Sequence, residues 1–145
     1  MQDGLALQRR ASAALAAGDA ASGVALFDRA DSAFAAAEAE DARWVEPIVR
    51  RATLAYTRSR TYGRNTTLIR PWVELSIRHA DRAIAMAPDD ADALEARGTT
   101  RVFAHFQSVT AEQDKPVELA KAIADLTKAT TINKAQAGAW ASLSA

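Results

Sequence analysis

Residues 74–101 read Glu-Leu-Ser-Ile-Arg-His-Ala-Asp-Arg-Ala-Ile-Ala-Met-Ala-Pro-Asp-Asp-Ala-Asp-Ala-Leu-Glu-Ala-Arg-Gly-Thr-Thr-Arg, and this stretch decides the fold. Up to Ala87, the residues Leu75, Ile77, Ala80, Ala83, Ile84 and Ala87 recur at steps of three and four, which predicts an amphipathic helix. Pro88 cannot continue it, because proline lacks the amide hydrogen and its ring clashes with the preceding turn. Asp89, Asp90 and Asp92 then offer carboxylate oxygens to the free amides of a second helix that carries Leu94, Gly98 and Val102 on one face. Two helices joined by a very short turn are the unit from which the rest of the chain is read.

Working outward, the same spacing returns. Gly23, Phe27 and Ala30 stand at steps of four and three, as do Ser76, Ala80 and Ala83, and again Ala122, Leu126 and Ala129. Beyond Ala83, intervals of five, six and four reach Pro88, Leu94 and Gly98; beyond Ala129 the same intervals reach Lys134, Trp140 and Ser144. Near the start, Leu5, Leu7, Ala11, Ala14 and Leu15 share a helical face over about residues 3–17, and Gly18-Asp19 supplies a left-handed stop and a cap. The next helix runs from about residue 20 to near residue 39. Trp44 and Pro47 open another over about 43–61, the run Tyr62–Thr67 is a turn with Thr67 as cap, and Pro71 is placed near the first turn of the helix that follows. Residues 110–116 separate the helix bearing Phe103 and Phe106 from one opened by Pro116, and residues 137–145 begin a seventh helix without a hairpin mate.

Composition agrees with helices packed closely on one another. Of 145 residues 49% are hydrophobic, much of that alanine, while only 6% are aromatic. No segment shows sustained period-two alternation of β-branched residues, so the expected class is all-α. Small residues at the crossing points let helices approach, large ones fill the gaps, and glycine or proline sets the turns. On these residues the chain resembles the tetratricopeptide-repeat family. The resemblance implies antiparallel hairpins stacked as a right-handed solenoid of about seven helices: one array over residues 1–145, with repeats at about 3–40, 41–90 and 91–136 and the start of a fourth at about 137–145. Intervals of 53 residues from Ala30 to Ala83 and 46 from Ala83 to Ala129 exceed the family's usual 34, and the excess falls inside the repeats.

Such stacking leaves a concave side lined by the first helix of each repeat. The expected partner groove therefore lies around Val45, Val49, Asp92, Glu95 and Thr99, and would hold a peptide or helix of another protein or of another part of the same parent chain. The function implied is a non-catalytic interaction scaffold. The lysine and asparagine set with which some family members hold chaperone tails is not visible. Repeats of this composition resemble those of large bacterial signalling proteins, including serine/threonine kinases, and the chain reads as a piece of such a protein.

Charge offers a second reading. The whole chain balances at 18 basic against 18 acidic residues, yet from Arg43 to Arg82 nine arginines face three acids. Arg50, Arg51, Arg58, Arg60, Arg64 and Arg70 fall in a segment with no acid, and Arg58, Arg60 and Arg64 are its candidate anion-binding residues for phosphate, an acidic peptide or nucleic acid. The alternative is a solvated helix end; nucleic acid is not the expected partner.

Catalytic signatures are sparse. His79 and His105, the two histidines, sit in no spacing that would put metal ligands on one helix face, and no nucleophile elbow or phosphate-cradling glycine loop occurs. The three aspartates at 89, 90 and 92 lack the glycine and glutamate of a calcium loop, and Trp44, Trp72 and Trp140 read as core fillers. Neither enzyme activity, metal nor cofactor is expected. With no cysteine, no disulfide or thiolate site can form. Without a long apolar run or a signal peptide's order of charge then apolar block, a soluble chain is expected, the cytoplasm being the favoured compartment and a membrane no partner. Self-association through the open C-terminal edge is also expected.

Overall fold

The computed structural model describes residues 1–144. Seven helices follow in order: α1 (Gln2–Ala16), α2 (Ala20–Glu40), α3 (Glu46–Ser59), α4 (Thr66–Met86), α5 (Ala91–Phe106), α6 (Lys115–Ile132) and α7 (Ala137–Leu143). Short 3-10 turns at Arg60–Tyr62 and Glu112–Asp114 complete the list, and among the described residues there is no strand. The all-α class is as the sequence predicts.

Helix boundaries follow local chemistry. Gly18 takes a φ of +83°, which ends α1, and the Asp19 carboxylate accepts the Ser22 N–H at 3.0 Å to open α2. Asp90 caps α5 in the same way, accepting from Ala93 N–H at 2.9 Å. Pro47 and Pro116 occupy first-turn positions, where a missing N–H costs nothing. Two expectations need correction. The cap of α4 is Asn65, whose side chain accepts from Leu68 N–H at 3.2 Å, so Thr67 lies inside the helix. Pro71 sits inside α4 rather than in its first turn; its lost hydrogen bond leaves the helix intact because tertiary packing holds both sides.

The helices pair as hairpins α1/α2, α3/α4 and α5/α6; each hairpin's second helix also packs on the first helix of the next, and α5 touches both α3 and α7. One turn joins successive hairpins three times. Asp41, Ala87 and Asn133 leave their helices with φ of −141°, −140° and −134° and ψ of 98°, 86° and 104°. Their N–H groups donate to Ala37, Ala83 and Ala129, and the N–H groups of Trp44, Asp90 and Gln136 donate back to them at 3.0, 3.0 and 3.1 Å. Lys134 therefore holds the place of Pro88, as the interval count predicts. Turns inside the hairpins differ from one another: Ala17–Asp19, then Arg60–Asn65 around Gly63 at φ +59°, then Gln107–Asp114 with Ser108 at φ +55°. The excess repeat length resides there and in the 21-residue helices α2 and α4.

All nine residues of the recurring triplets are buried. A Cβ on Gly23 would lie 2.6 Å from Leu15 of α1, and one on Gly98 would lie 2.6 Å from Leu126 of α6, so both glycines mark helix crossings. At the crossing of α4, Ser76 Oγ donates to Ala52 C=O of α3 at 2.9 Å and pairs with Thr100 Oγ1 of α5 at 2.9 Å, satisfying polar atoms that no water reaches. The tryptophans do not fill the core as expected. Trp44 is 37% and Trp140 52% exposed, and Trp72 is half-buried beneath the Arg58 guanidinium, 4.2 Å from the ring centroid. Trp140 stands where Leu94 stands 46 residues earlier, but among the described residues no helix covers it as α6 covers Leu94.

Candidate interaction groove

Between α3 and α5 runs an open groove of about 520 Å3. Because α4 connects the two in antiparallel steps, α3 and α5 point the same way and their first turns lie at the same end. From α3 come Glu46, Val49, Arg50, Thr53 and Tyr56; from α5 and its cap come Asp90, Asp92, Glu95, Ala96 and Thr99. Four of the five residues expected in the groove, Val49, Asp92, Glu95 and Thr99, are thus brought together. Val45 is not among its lining: as the residue before Glu46 it packs half-buried against Ile48, Val49, Ala83 and Ala93.

The acids gather at the helix starts, where they also satisfy free amides and the positive end of the dipole. Glu46 pairs with Arg50 at 3.3 Å. Asp92 accepts from Gln136 Nε2 at 2.9 Å, and Thr99 Oγ1 meets Ser142 Oγ at 3.4 Å, so the α5 edge of the groove also holds α7. Burial pushes the Glu95 carboxyl up from its ordinary range; the Ala139 N–H, which it accepts, works against this and the neighbouring Asp92 charge adds to it. Four carboxylates against one guanidinium leave the groove with three negative charges in excess. Its far end, at Thr53, Thr99 and Tyr56, carries hydroxyls and a ring.

The arginine-rich segment is dispersed over several surfaces. Arg51 turns to α2, bonding Asp31 at 2.9 Å and Glu38 at 3.0 Å. Arg58 pairs with Asp28 and donates to Tyr62 Oη, Arg70 donates to Val109 C=O at 2.8 Å, and Arg50 serves Glu46. Of the three candidate anion binders, Arg58 is therefore engaged within the chain. Arg60 is exposed with its guanidinium 5.7 Å from the Tyr56 ring centroid, and Arg64 is exposed in the turn after Gly63.

A second ionic cluster went unread in the sequence. Arg97 forks onto Asp125 at 2.7 and 2.8 Å and reaches Asp81 at 2.8 Å, while Arg101 meets the same Asp125 at 2.9 Å. Asp125 foremost, with Asp81, holds Arg97 charged more firmly than usual despite its burial. The available signal was the 46-residue interval, which sets Arg97 on Arg51 and Thr99 on Thr53. His79, matching Asp125 by the same interval, is buried with Nδ1 3.2 Å from Arg82 and Nε2 unpartnered; burial first, then the Arg51 charge, pushes its pKa down. Among the described residues no group of three or more His, Asp or Glu side chains could hold a metal, and no helix is long and apolar enough to cross a membrane. Compared with family models, curated proteins and solved structures, the chain matches none.

Proposed function

We propose that the chain is a non-catalytic protein-interaction module, a tetratricopeptide-like array of stacked hairpins in a right-handed solenoid, whose α3/α5 groove holds a peptide segment of a partner protein or of its own parent chain. The observation that carries this reading is the groove itself: the first helices of two successive hairpins line about 520 Å3 of open space with an apolar floor and polar walls. Support for the repeat architecture comes from the thrice-repeated turn and the buried triplets.

The sign of the groove narrows the partner. With carboxylates at Glu46, Asp90, Asp92 and Glu95 and a single paired arginine, a segment with lysine or arginine at one end and an apolar or aromatic residue at the other is the better match. Titration with peptides of equal length and differing charge tests this. Basic peptides should bind more tightly at low salt, Glu46→Gln with Glu95→Gln should weaken them about tenfold, and Thr53→Trp should block the groove without unfolding the chain. Binding that survives Thr53→Trp but is lost on Arg60→Ala with Arg64→Ala would sink the groove reading and promote the anion-binding alternative.

A further inference from the structure

The first helices of the three hairpins share a register. Ala11, Ala52 and Gly98 hold matched places, each lying against the first residue of a recurring triplet: Gly23, Ser76 and Ala122. Counted from these, the residues six, three and two places back and one place on are the ones that line open space. On α1 they line an opening of about 460 Å3 toward α3, and on α3 and α5 they line the groove already described. Arg50 borders both, so the two openings form one face across α1, α3 and α5. One place on stand Ser12, Thr53 and Thr99, a row of hydroxyls. Two places back are Arg9, Arg50 and Ala96. Three back are Gln8, Val49 and Glu95, and six back are Leu5, Glu46 and Asp92.

Charge therefore falls stepwise across the face. α1 contributes Arg9, exposed and without an ion pair among the described residues. α3 contributes Glu46 and Arg50, paired at 3.3 Å. α5 contributes Asp92 and Glu95, whose partners on α7, the Gln136 side-chain amide and the Ala139 N–H, bring no positive charge. The hydroxyl row bears on the form of the occupant. Thr53 Oγ1 gives its hydrogen to Val49 C=O at 3.2 Å and so offers lone pairs to a donor, and Ser12 is exposed beside it on α1. A helix satisfies its amides internally, whereas an extended chain crossing this row carries free main-chain N–H groups.

We propose that this face holds an extended segment of a partner protein that crosses α1, α3 and α5 with an acidic residue over Arg9 and a basic residue over Asp92 and Glu95. Packed helices stand about 8–10 Å apart, so α1 and α5 are separated by roughly 20 Å, which an extended chain rising about 3.3 Å per residue spans in about six residues. The proposal rests on the groove reading above, carries it on to α1 and fixes the order and spacing of the partner's charges. The probes are end-blocked peptides of about ten residues and one composition, with two glutamates and two lysines centred about six residues apart, in that order, in the reverse order, or with the four charges alternating. A further peptide carries lysines in place of the glutamates. Each is titrated into the intact protein labelled with 15N. One of the two ordered peptides should move the signals of Arg9, Thr53 and Glu95 together and bind about fivefold more tightly than the alternating one. Arg9→Glu should weaken that peptide about tenfold and tighten the all-lysine peptide, while melting like the wild type because the side chain is exposed. If the alternating peptide binds as well as both ordered ones, or Arg9→Glu leaves the ordered peptide's affinity unchanged while the all-lysine peptide still moves Glu95, the charge order is overturned and the α3/α5 groove stands. If no peptide moves a signal of α1, α3 or α5 up to about millimolar concentration, both readings are overturned.

Discussion

Hairpins α3/α4 and α5/α6 are built to one plan with different parts. At the crossing, Ala52 faces Ala80 in the first and Gly98 faces Leu126 in the second: as one side loses its Cβ, the other gains a large side chain. The same exchange occurs in charge. Arg51 and Arg97 match across the interval, but Arg51 takes its carboxylates from the preceding hairpin, through Asp31 and Glu38, with His79 at its own hairpin's matching position; Arg97 takes Asp125 from its own hairpin and Asp81 from the preceding one. What recurs is a small residue on at least one side of the crossing and a neutralised arginine beside it, not the identity of any residue.

The largest effect that comparison predicts is at Asp125. Only 7% exposed, it is shared by two arginines whose side chains are 20% and 13% exposed, so Asp125→Ala leaves two mostly buried charges short of their partner and should cost about 3 kcal/mol in urea unfolding. His79→Ala at the matching position should cost less than half of that at pH 7, because Arg51 keeps Asp31 and Glu38. Equal losses at the two sites would mean that the Asp125 cluster is no stronger than surface pairing. Below about pH 6.5 the His79 difference should shrink: its depressed pKa makes it a stabiliser when neutral, and that contribution is lost as acid charges it in the folded state.

Next comes the exchange of volume. Gly98→Ala should destabilise by about 1 to 3 kcal/mol through its approach to Leu126, and Leu126→Ala by about 2 to 5 kcal/mol through the cavity left. The double variant recreates the Ala52/Ala80 crossing of the other hairpin, so its loss should fall short of the sum of the two by about 1 kcal/mol or more. Strict additivity in a denaturant cycle would show that the two crossings are unrelated.

Much of this plan could be read from the sequence, and the reason lies in where the physics is local. Pro88, Gly18 and Asp90 act within a few residues, and the steps from Gly23 to Ala30 express helical period and burial together, so helix number and order followed from them. Asp92, Glu95 and Thr99 were placed on the groove because each hairpin's first helix must face the same side. Val45 was misplaced because it caps α3 and turns to the core with Ile48 and Ala83, while its neighbour Glu46 faces the groove; the start of α3 is set by Pro47 and the turn at Asp41 rather than by its apolar residues. The arginine segment could not be read at all from composition: whether Arg58 faces solvent or Asp28 depends on how α3 sits against α2, a relation between residues 30 apart. Trp140 reads as core by residue type and stands 52% exposed, which no property of the indole reveals.

The smallest effect separates two matched groove positions, Val49 and Glu95. Val49 is 6% exposed and apolar, whereas Glu95 is a half-buried carboxylate accepting the Ala139 N–H of α7. Burial raises its pKa above the ordinary 4.5, so the folded chain holds that proton more tightly than the unfolded one. Below about pH 4.5 the group is protonated in both states and whatever stability it lends is fully present; as the pH climbs through the raised folded value, that stability is lost. Glu95→Gln keeps an oxygen for the Ala139 N–H and never ionises. Its melting temperature should therefore match the wild type near pH 4 and exceed it slightly at pH 7, and the gap should close when a basic peptide occupies the groove, because the bound cation favours the ionised carboxylate. If Glu95→Gln instead melts lower at pH 7, the attraction between the Glu95 charge and the start of α7 outweighs its burial, and the carboxylate serves to hold α7 before it serves any ligand.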